Sequence, residues 1–358
     1  MRSLAFSLAI FAPLTALLLT SGCKRGSVDG GVDRLSGGGA TFVDPIMQRW
    51  SSEYKTAKNV EVDYKKSGSG NGIQQMSGKV LDFGCTDAPM NKDETENAKT
   101  EGGEVVHVPV IMGAVAIIYN VPGVKEQLKL NGDVIAKIYL GEITLWNDPA
   151  IAALNPGVKL PASGLTPVYR SESSGTTSIF TEFLSKSSVS FKTKIGISKN
   201  PKWPKIGTGQ NGNDGIAGHV QRNEGCIGYV ELYYAKKSEM PYAILKNRRG
   251  KDVLPDTENV AAAAKGAMSE TPTKEPYTVH SLTYSLTDID ADTAYPICGM
   301  SYAVLFKNQP AGKGKALVDF LKWATTDGQK FAKELEYSPL PTELQTKIAA
   351  RLDEVKLD

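Results

Sequence analysis

Val168-Tyr169-Arg170-Ser171-Glu172-Ser173-Ser174-Gly175-Thr176-Thr177 runs from a short apolar strand through a polar turn into the apolar-periodic segment Ile179-Phe180-Thr181-Glu182-Phe183-Leu184. Ser174 stands where a helix N-cap belongs, so Gly175 and Thr176 open the helix. The first N–H groups of a helix have no intrahelical partner and carry the positive end of its dipole, so such an end attracts small anions. The hydroxyls of Ser174 and Thr176 add donors. Arg170 brings a planar fork of further donors, and Glu172 is close enough in sequence to hold that fork in place. On its own the stretch reads more readily as an ordinary capped helix with a surface Arg–Glu pair. Its meaning depends on the rest of the chain.

The same strand–turn–helix pattern recurs three more times, at Ala40-Thr41-Phe42, Gly68-Ser69-Gly70 and Gly209-Gln210-Asn211-Gly212. In an open α/β sheet such turns lie at the carboxyl ends of strands, where ligands bind. A chain of 358 residues is long for one domain, so two α/β lobes are expected, each supplying two of these turns to a shared cleft. None of the turns matches a nucleoside-triphosphate loop, and Gly68-Ser69-Gly70-Asn71-Gly72 is a poor dinucleotide fingerprint.

Outward from the turns, the periodicity places the other elements. Ile46, Trp50 and Tyr54 share one helix face after Thr41, whose capping-box spacing to Asp44 marks it as the N-cap. A half-buried strand is expected over residues 60–64, a short helix over 73–77 and a strand over 80–85. Residues 105–120 are too β-branched for a helix and suit one long strand that leaves one lobe and enters the other. Further helices are expected over 134–139, at the alanine run 261–264, around Leu317-Phe320-Leu321-Ala324 and over 342–352. Strands are expected over 227–232 and 295–306.

Composition narrows the function. A net charge of +2 leaves no large field for nucleic acid, so any anion site must be local. Residues 1–22 read as a signal peptide: Arg2 leads an apolar run too short to span a membrane. Thr20-Ser21-Gly22-Cys23 is similar to a bacterial lipoprotein box, with Thr20 where leucine is usual, which makes Cys23 the lipidated first residue of the mature protein. Residues 23–34, rich in glycine and charge, read as a flexible tether. An exported chain meets an oxidising compartment, so one disulfide among Cys85, Cys226 and Cys298 is possible, the pairing being open. There is no CxxC spacing, and His107, His219 and His280 are dispersed, so no zinc site is expected.

Gly39-Ala40-Thr41-Phe42, Asp82-Phe83-Gly84-Cys85-Thr86-Asp87-Ala88-Pro89 and Arg170 through Thr176 resemble the phosphate-binding motifs of one family. That family is the periplasmic phosphate-binding protein of the high-affinity phosphate ABC transporter. Tyr139-Leu140-Gly141-Glu142-Ile143, Trp146-Asn147-Asp148, Gly212-Asn213-Asp214-Gly215-Ile216-Ala217, Gly228-Tyr229-Val230-Glu231 and Tyr295-Pro296-Ile297 extend the resemblance over essentially the whole mature chain, in the same order. It implies a two-lobed periplasmic-binding-protein fold of type II with the ligand cleft between lobes. Lobe I would be residues 35–112 plus 296–358, and lobe II residues 113–295. It puts the oxyanion contacts on Thr41, Phe42 through its backbone N–H, Ser69, Asp87, Arg170, Ser174, Gly175 and Thr176, with Glu172 orienting Arg170. Glu172 stands where aspartate is common, and Cys85 takes the place of a small residue. The resemblance further implies no enzymatic activity, no metal and no cofactor. The partners would be inorganic phosphate and the permease components of an ABC transporter, for a lipid-anchored monomer outside the cytoplasm.

The chemistry of the residues agrees. A buried oxyanion is costly to desolvate and must be met by many oriented donors. Hydroxyls, helix N-terminal amides and one guanidinium supply them. The alternatives are a receptor for another oxyanion such as sulfate or molybdate, which Asp87 argues against, and a phosphatase-like enzyme. The enzyme would need a metal cluster or a nucleophile beside a base, which these motifs lack.

Overall fold

The computed structural model describes Val32 and residues 34–358. The expected signal segment, Cys23 and the tether up to residue 31 lie outside the described residues. Eight strands build the main sheet: β1 (Arg34–Gly39), β2 (Glu61–Lys66), β3 (Phe83–Thr86), β4 (Val105–Tyr119), β5 (Thr166–Arg170), β6 (Thr208–Gln210), β7 (Cys226–Glu231) and β8 (Cys298–Phe306). Their order across the sheet is β2-β1-β3-β8-β4-β7-β5-β6. β1 is parallel to β2 and β3, and β5 is parallel to β6 and β7. Between these two parallel groups, β4 and β8 run antiparallel to their neighbours.

β4 links the groups. Its sequence VVHVPVIMGAVAIIY is buried throughout, as expected of a strand covered on both faces. Residues 105–114 pair with β8, and residues 115–119 pair with β7. The chain therefore passes from one parallel group to the other within a single strand. The ladder between β4 and β8 slips once: Ser301 faces Ile111, but Tyr302 faces Pro109. Pro109 has no N–H to give a ladder, and an irregularity of this kind is where a sheet tolerates proline.

The helices that matter for the site each follow a strand: α1 (Asp44–Lys58) after β1, α2 (Ser69–Ser77) after β2, α3 (Lys92–Gly102) after β3, α4 (Gly175–Ser187) after β5 and α5 (Gly212–Arg222) after β6. The four expected turns thus lie at carboxyl ends of strands. α1 buries Ile46, Met47, Trp50 and Tyr54, and Trp50 Nε1 donates to the Gly328 carbonyl at 2.8 Å, tying the helix to the C-terminal part of the chain. The expected C-terminal helices are present as Ala311–Ala324 and Thr342–Asp353, and the alanine run lies in Thr257–Met268.

Four expectations are corrected. Thr41 does not cap α1: Val43 is the N-cap, without a side-chain hydrogen bond, because Pro45 in the first turn starts the helix later. The helix expected over 73–77 begins four residues earlier, at Ser69, and the strand expected over 80–85 is confined to Phe83–Thr86. Cys85, Cys226 and Cys298 are all free and buried, so none of them pairs with another. Among the described residues no helix is long and apolar enough to cross a membrane.

Candidate functional site

The four turns meet, together with the turn after β3. Ser69 opens α2, and its Oγ accepts from the Gly175 N–H at 3.0 Å and from the Asp87 N–H at 3.3 Å. One hydroxyl from the first parallel group therefore engages the N-terminus of α4 in the second. With both lone pairs taken, the Ser69 hydroxyl retains one proton to donate. The Gly70 N–H donates to the Ser173 carbonyl at 3.1 Å alongside. The turns approach too closely for side chains at this seam. A Cβ on Gly175 would lie 2.5 Å from Ser69 Oγ and 2.7 Å from the Asp87 amide nitrogen. Gly68, at a φ of +92°, would bring a Cβ within 2.9 Å of Glu172 Cγ.

Thr41 and Phe42 sit in a turn held by its carbonyls. Tyr64 donates to the Ala40 carbonyl at 2.8 Å, Tyr234 to that of Thr41 at 2.7 Å and Tyr337 to that of Phe42 at 2.5 Å. Three successive acceptors are thus tied off, so what the turn has left to offer an anion is the N–H of Thr41, the N–H of Phe42 and the Thr41 hydroxyl. That hydroxyl accepts from Asn213 Nδ2 at 2.9 Å, and Asn213 belongs to α5. The Phe42 ring itself is core, fully buried, consistent with a role through its backbone only.

Arg170, at the end of β5, is buried, with 1% of its side chain exposed. Its Nε donates to Glu172 Oε1 at 2.7 Å, and its Nη2 meets the same oxygen. Glu172 Oε1 also accepts from the Gly212 N–H at 3.0 Å, which draws the turn before α5 into the site. Glutamate in place of aspartate therefore still engages the guanidinium. Arg170 Nη1 is buried with no hydrogen-bond partner. A buried cationic donor left unmatched is costly and seldom persists without a function. Ser174 caps α4 as expected, its Oγ accepting from the Thr177 N–H at 3.2 Å, while its own N–H donates to the Lys199 carbonyl at 2.8 Å.

Asp87 follows β3 and is 3% exposed. Its Oδ1 accepts from Ser301 Oγ at 2.9 Å and its Oδ2 from Thr176 Oγ1 at 3.3 Å. Burial pushes its carboxyl up to about 6, although the Ser301 hydroxyl, the Arg170 charge and the Thr176 and Ser69 hydroxyls pull the other way. Ser301 adjoins the slip between β4 and β8, the kind of irregularity that re-aims side chains.

All eight expected contact residues and Glu172 are therefore brought together. Ser301, Asn213, Tyr229 and the three loop-holding tyrosines were not expected. Tyr229, whose hydroxyl accepts from the Arg170 N–H at 3.2 Å and lies 2.6 Å from Thr177 Oγ1, sits in a motif already noted but given no role. His107 and His280 do meet, as stacked rings with centroids 3.8 Å apart. Among the described residues no group of three or more His, Cys, Asp or Glu is arranged to hold a metal ion.

In chemical terms this is a buried cluster of hydroxyl and amide donors with one guanidinium, fixed by the Glu172 carboxylate, and a second carboxylate on Asp87. Residues 26–327 match the model of the PBP superfamily domain. The phosphate-binding protein PstS of Pasteurella multocida is 39% identical over 319 residues, covering 88% of this chain and 89% of that protein. That of Methanocaldococcus jannaschii is 35% identical over 305 residues, covering 82% and 78%. Among solved structures, a high affinity periplasmic phosphate-binding protein (PfluDING) bound with phosphate superposes with a TM-score of 0.72 at 20% identity, covering 88% of this chain and 93% of that one. A phosphate-binding protein from Stenotrophomonas maltophilia does so at 0.68 and 17%, with the same coverage. At those identities the structural likeness speaks for the fold alone, and the sequence relatives carry the family. The chain belongs to the PBP superfamily and, within it, to the family of the phosphate-binding proteins PstS.

Proposed function

We propose that this protein binds inorganic phosphate in the site formed by Thr41, Phe42, Ser69, Asp87, Arg170, Ser174, Gly175 and Thr176, and passes it to the permease of an ABC transporter. The observation that carries the reading is the presence of two buried groups in one donor set: a guanidinium fixed by Glu172 with Nη1 unpartnered, and the Asp87 carboxylate, which accepts from Thr176. The first supplies counter-charge to an anion. The second accepts only a proton, which selects an oxyanion that still carries one. On this reading the protein acts as a receptor, in line with the binding proteins it is related to, with Glu172 engaged on Arg170 and Asp87 accepting from the Ser301 and Thr176 hydroxyls. Lobe I is residues 35–112 plus 296–358 and lobe II residues 113–295. The change of partner along β4 at residues 114–115 supports a crossover there.

Titration calorimetry on dialysed protein tests the reading. One phosphate per chain should bind, arsenate should compete and sulfate should not. Absence of phosphate binding would overturn it, and equal binding of sulfate would return it to a general oxyanion receptor.

The anchor belongs to the same proposal. Cys23, once lipidated, would hold a monomeric protein on the outer face of a membrane through the tether, which ends where β1 begins at Arg34. Cys23→Ser should move the protein from membrane to soluble fractions without changing phosphate affinity, since Cys23 is not among the proposed phosphate contacts. Wild-type protein found wholly soluble after fractionation would remove the anchor.

A further inference from the structure

Behind Asp87 the chain runs through Ala88-Pro89-Met90 into α3, whose first turn is closed by a capping box. Asn91 Oδ1 accepts from the Glu94 N–H at 2.8 Å, and Glu94 Oε2 accepts from the Asn91 N–H at 2.9 Å. The same Glu94 carboxylate takes a second load. Lys199 Nζ lies 2.7 Å from its Oε1 and 2.6 Å from its Oε2, across 105 residues of sequence. Only 12% of the Lys199 side chain and 25% of the Glu94 side chain are exposed. At its other end, the Lys199 carbonyl accepts the N–H of Ser174, the cap of α4. One lysine therefore holds the α4 N-terminus by its backbone and the helix behind Asp87 by its ammonium.

Other ion pairs join the same two parts of the chain, but they are wetter. In Lys66–Asp214 the side chains are 39% and 55% exposed, and in Lys92–Glu275 they are 70% and 50% exposed. Exposed pairs contribute little because water screens them. Lys199–Glu94 differs in being largely desolvated when made, so removing one partner strands a charge. Next to it, Thr95 Oγ1 lies 3.0 Å from His280 Nε2, a second fastening on the same turn of α3. α3 buries little of its own surface, only Ala98 being fully covered, so these polar contacts carry much of its attachment to the opposite side.

We propose that Lys199 is a positioning residue for anion retention, its ion pair with Glu94 acting as the latch that holds the Asp87 turn against the α4 N-terminus while the cleft is closed. The proposal rests on the two-lobed phosphate-binding reading above. In the open form both charges return to water, so the pair is made and broken with each cycle. Loss of the pair leaves capture by the open form unchanged and speeds release from the closed form.

Stopped-flow measurement of inorganic phosphate binding and release decides it. Lys199→Met keeps the backbone contact to Ser174, and Glu94→Gln keeps the capping box. Each should raise the release rate about tenfold, with the association rate no lower than in wild type. The double variant should release no faster than the worse single, because both changes remove one interaction. Lys199→Arg should stay near wild type. Release rates within twofold of wild type in both singles, additive effects, or a loss confined to association would overturn the latch. Small-angle scattering of the phosphate-free proteins separates this from the broader reading, because it needs no ligand. Lys199→Met should enlarge the radius of gyration by shifting the population open. A wild type that binds no phosphate while that shift persists would sink the function and keep the latch. A wild type that binds, with release and scattering both unmoved, would do the reverse.

Discussion

Arg170→Ala should weaken phosphate binding by roughly 3–5 kcal/mol, the range for removing one partner of a buried charge pair. The variant loses the counter-charge and also strands Glu172, whose Oε1 receives Arg170 Nε and Nη2 and whose Oε2 already lacks a partner. Part of the loss can therefore reflect a displaced turn, because Glu172 Oε1 also holds the Gly212 N–H. Glu172→Gln separates the two contributions. It keeps the guanidinium charge and an oxygen for the Gly212 N–H, and loosens only the aim of the fork, so it should cost clearly less. Calorimetry on both variants, with circular dichroism as a control for folding, gives the comparison. Near-wild-type affinity in Arg170→Ala would move the site elsewhere, and a larger loss in Glu172→Gln would make the pair structural rather than ligand-directed.

The parts of this site that were legible in the sequence are those set by neighbours in the chain. Ser174 caps α4 because capping is a matter of three or four residues, and the strand–turn–helix order around it is equally local. Thr41 shows where that logic ends. Its spacing to Asp44 fits a cap, yet Asn213, 172 residues away, takes its hydroxyl, and Pro45 shifts the helix start. Asp87 meets Ser301 across 214 residues through a strand irregularity that no periodicity announces. α3 went unexpected because Lys92–Gly102 buries only Ala98 and so has no apolar stripe to detect. The Asn91-to-Glu94 capping box was its one local signature. Lys199 lies in a polar Lys/Asn/Pro stretch that reads as ordinary loop, and only the fold brings it to Glu94.

Asp87→Asn should alter selectivity more than affinity. An ionised carboxylate can only accept, so it bonds to a phosphate that keeps a proton and repels a sulfate that has none. Asparagine can donate, so phosphate binding should persist in weakened form while sulfate begins to compete. pH provides a second arm on the wild type. Burial raises the Asp87 carboxyl from an ordinary 3.8 to about 6, so it is mostly ionised at pH 7.5 and gains a proton as pH falls through about 6. Sulfate competition should therefore grow in that window for the wild type and stay flat for Asp87→Asn. The same shift carries a stability sign. The folded, ligand-free protein favours the neutral acid, so that stabilisation is complete below pH 3.8 and is lost as pH rises through about 6. At pH 8 Asp87→Asn should therefore be more stable without ligand, on the order of 2–3 kcal/mol, since it removes a carboxylate that burial penalises. Ser301 and Thr176 can turn their hydroxyls to suit an amide, so the replacement leaves neither stranded. Phosphate should reverse the ranking, because only the wild type gains the O–H···O⁻ bond on binding. Melting curves at pH 8 with and without phosphate, set beside sulfate competition at pH 5 and 8, test both halves. Unchanged rejection of sulfate by Asp87→Asn would remove the selectivity role. A ligand-free variant less stable than wild type at pH 8 would show that Ser301 and Thr176, rather than desolvation, set the energy of this carboxylate.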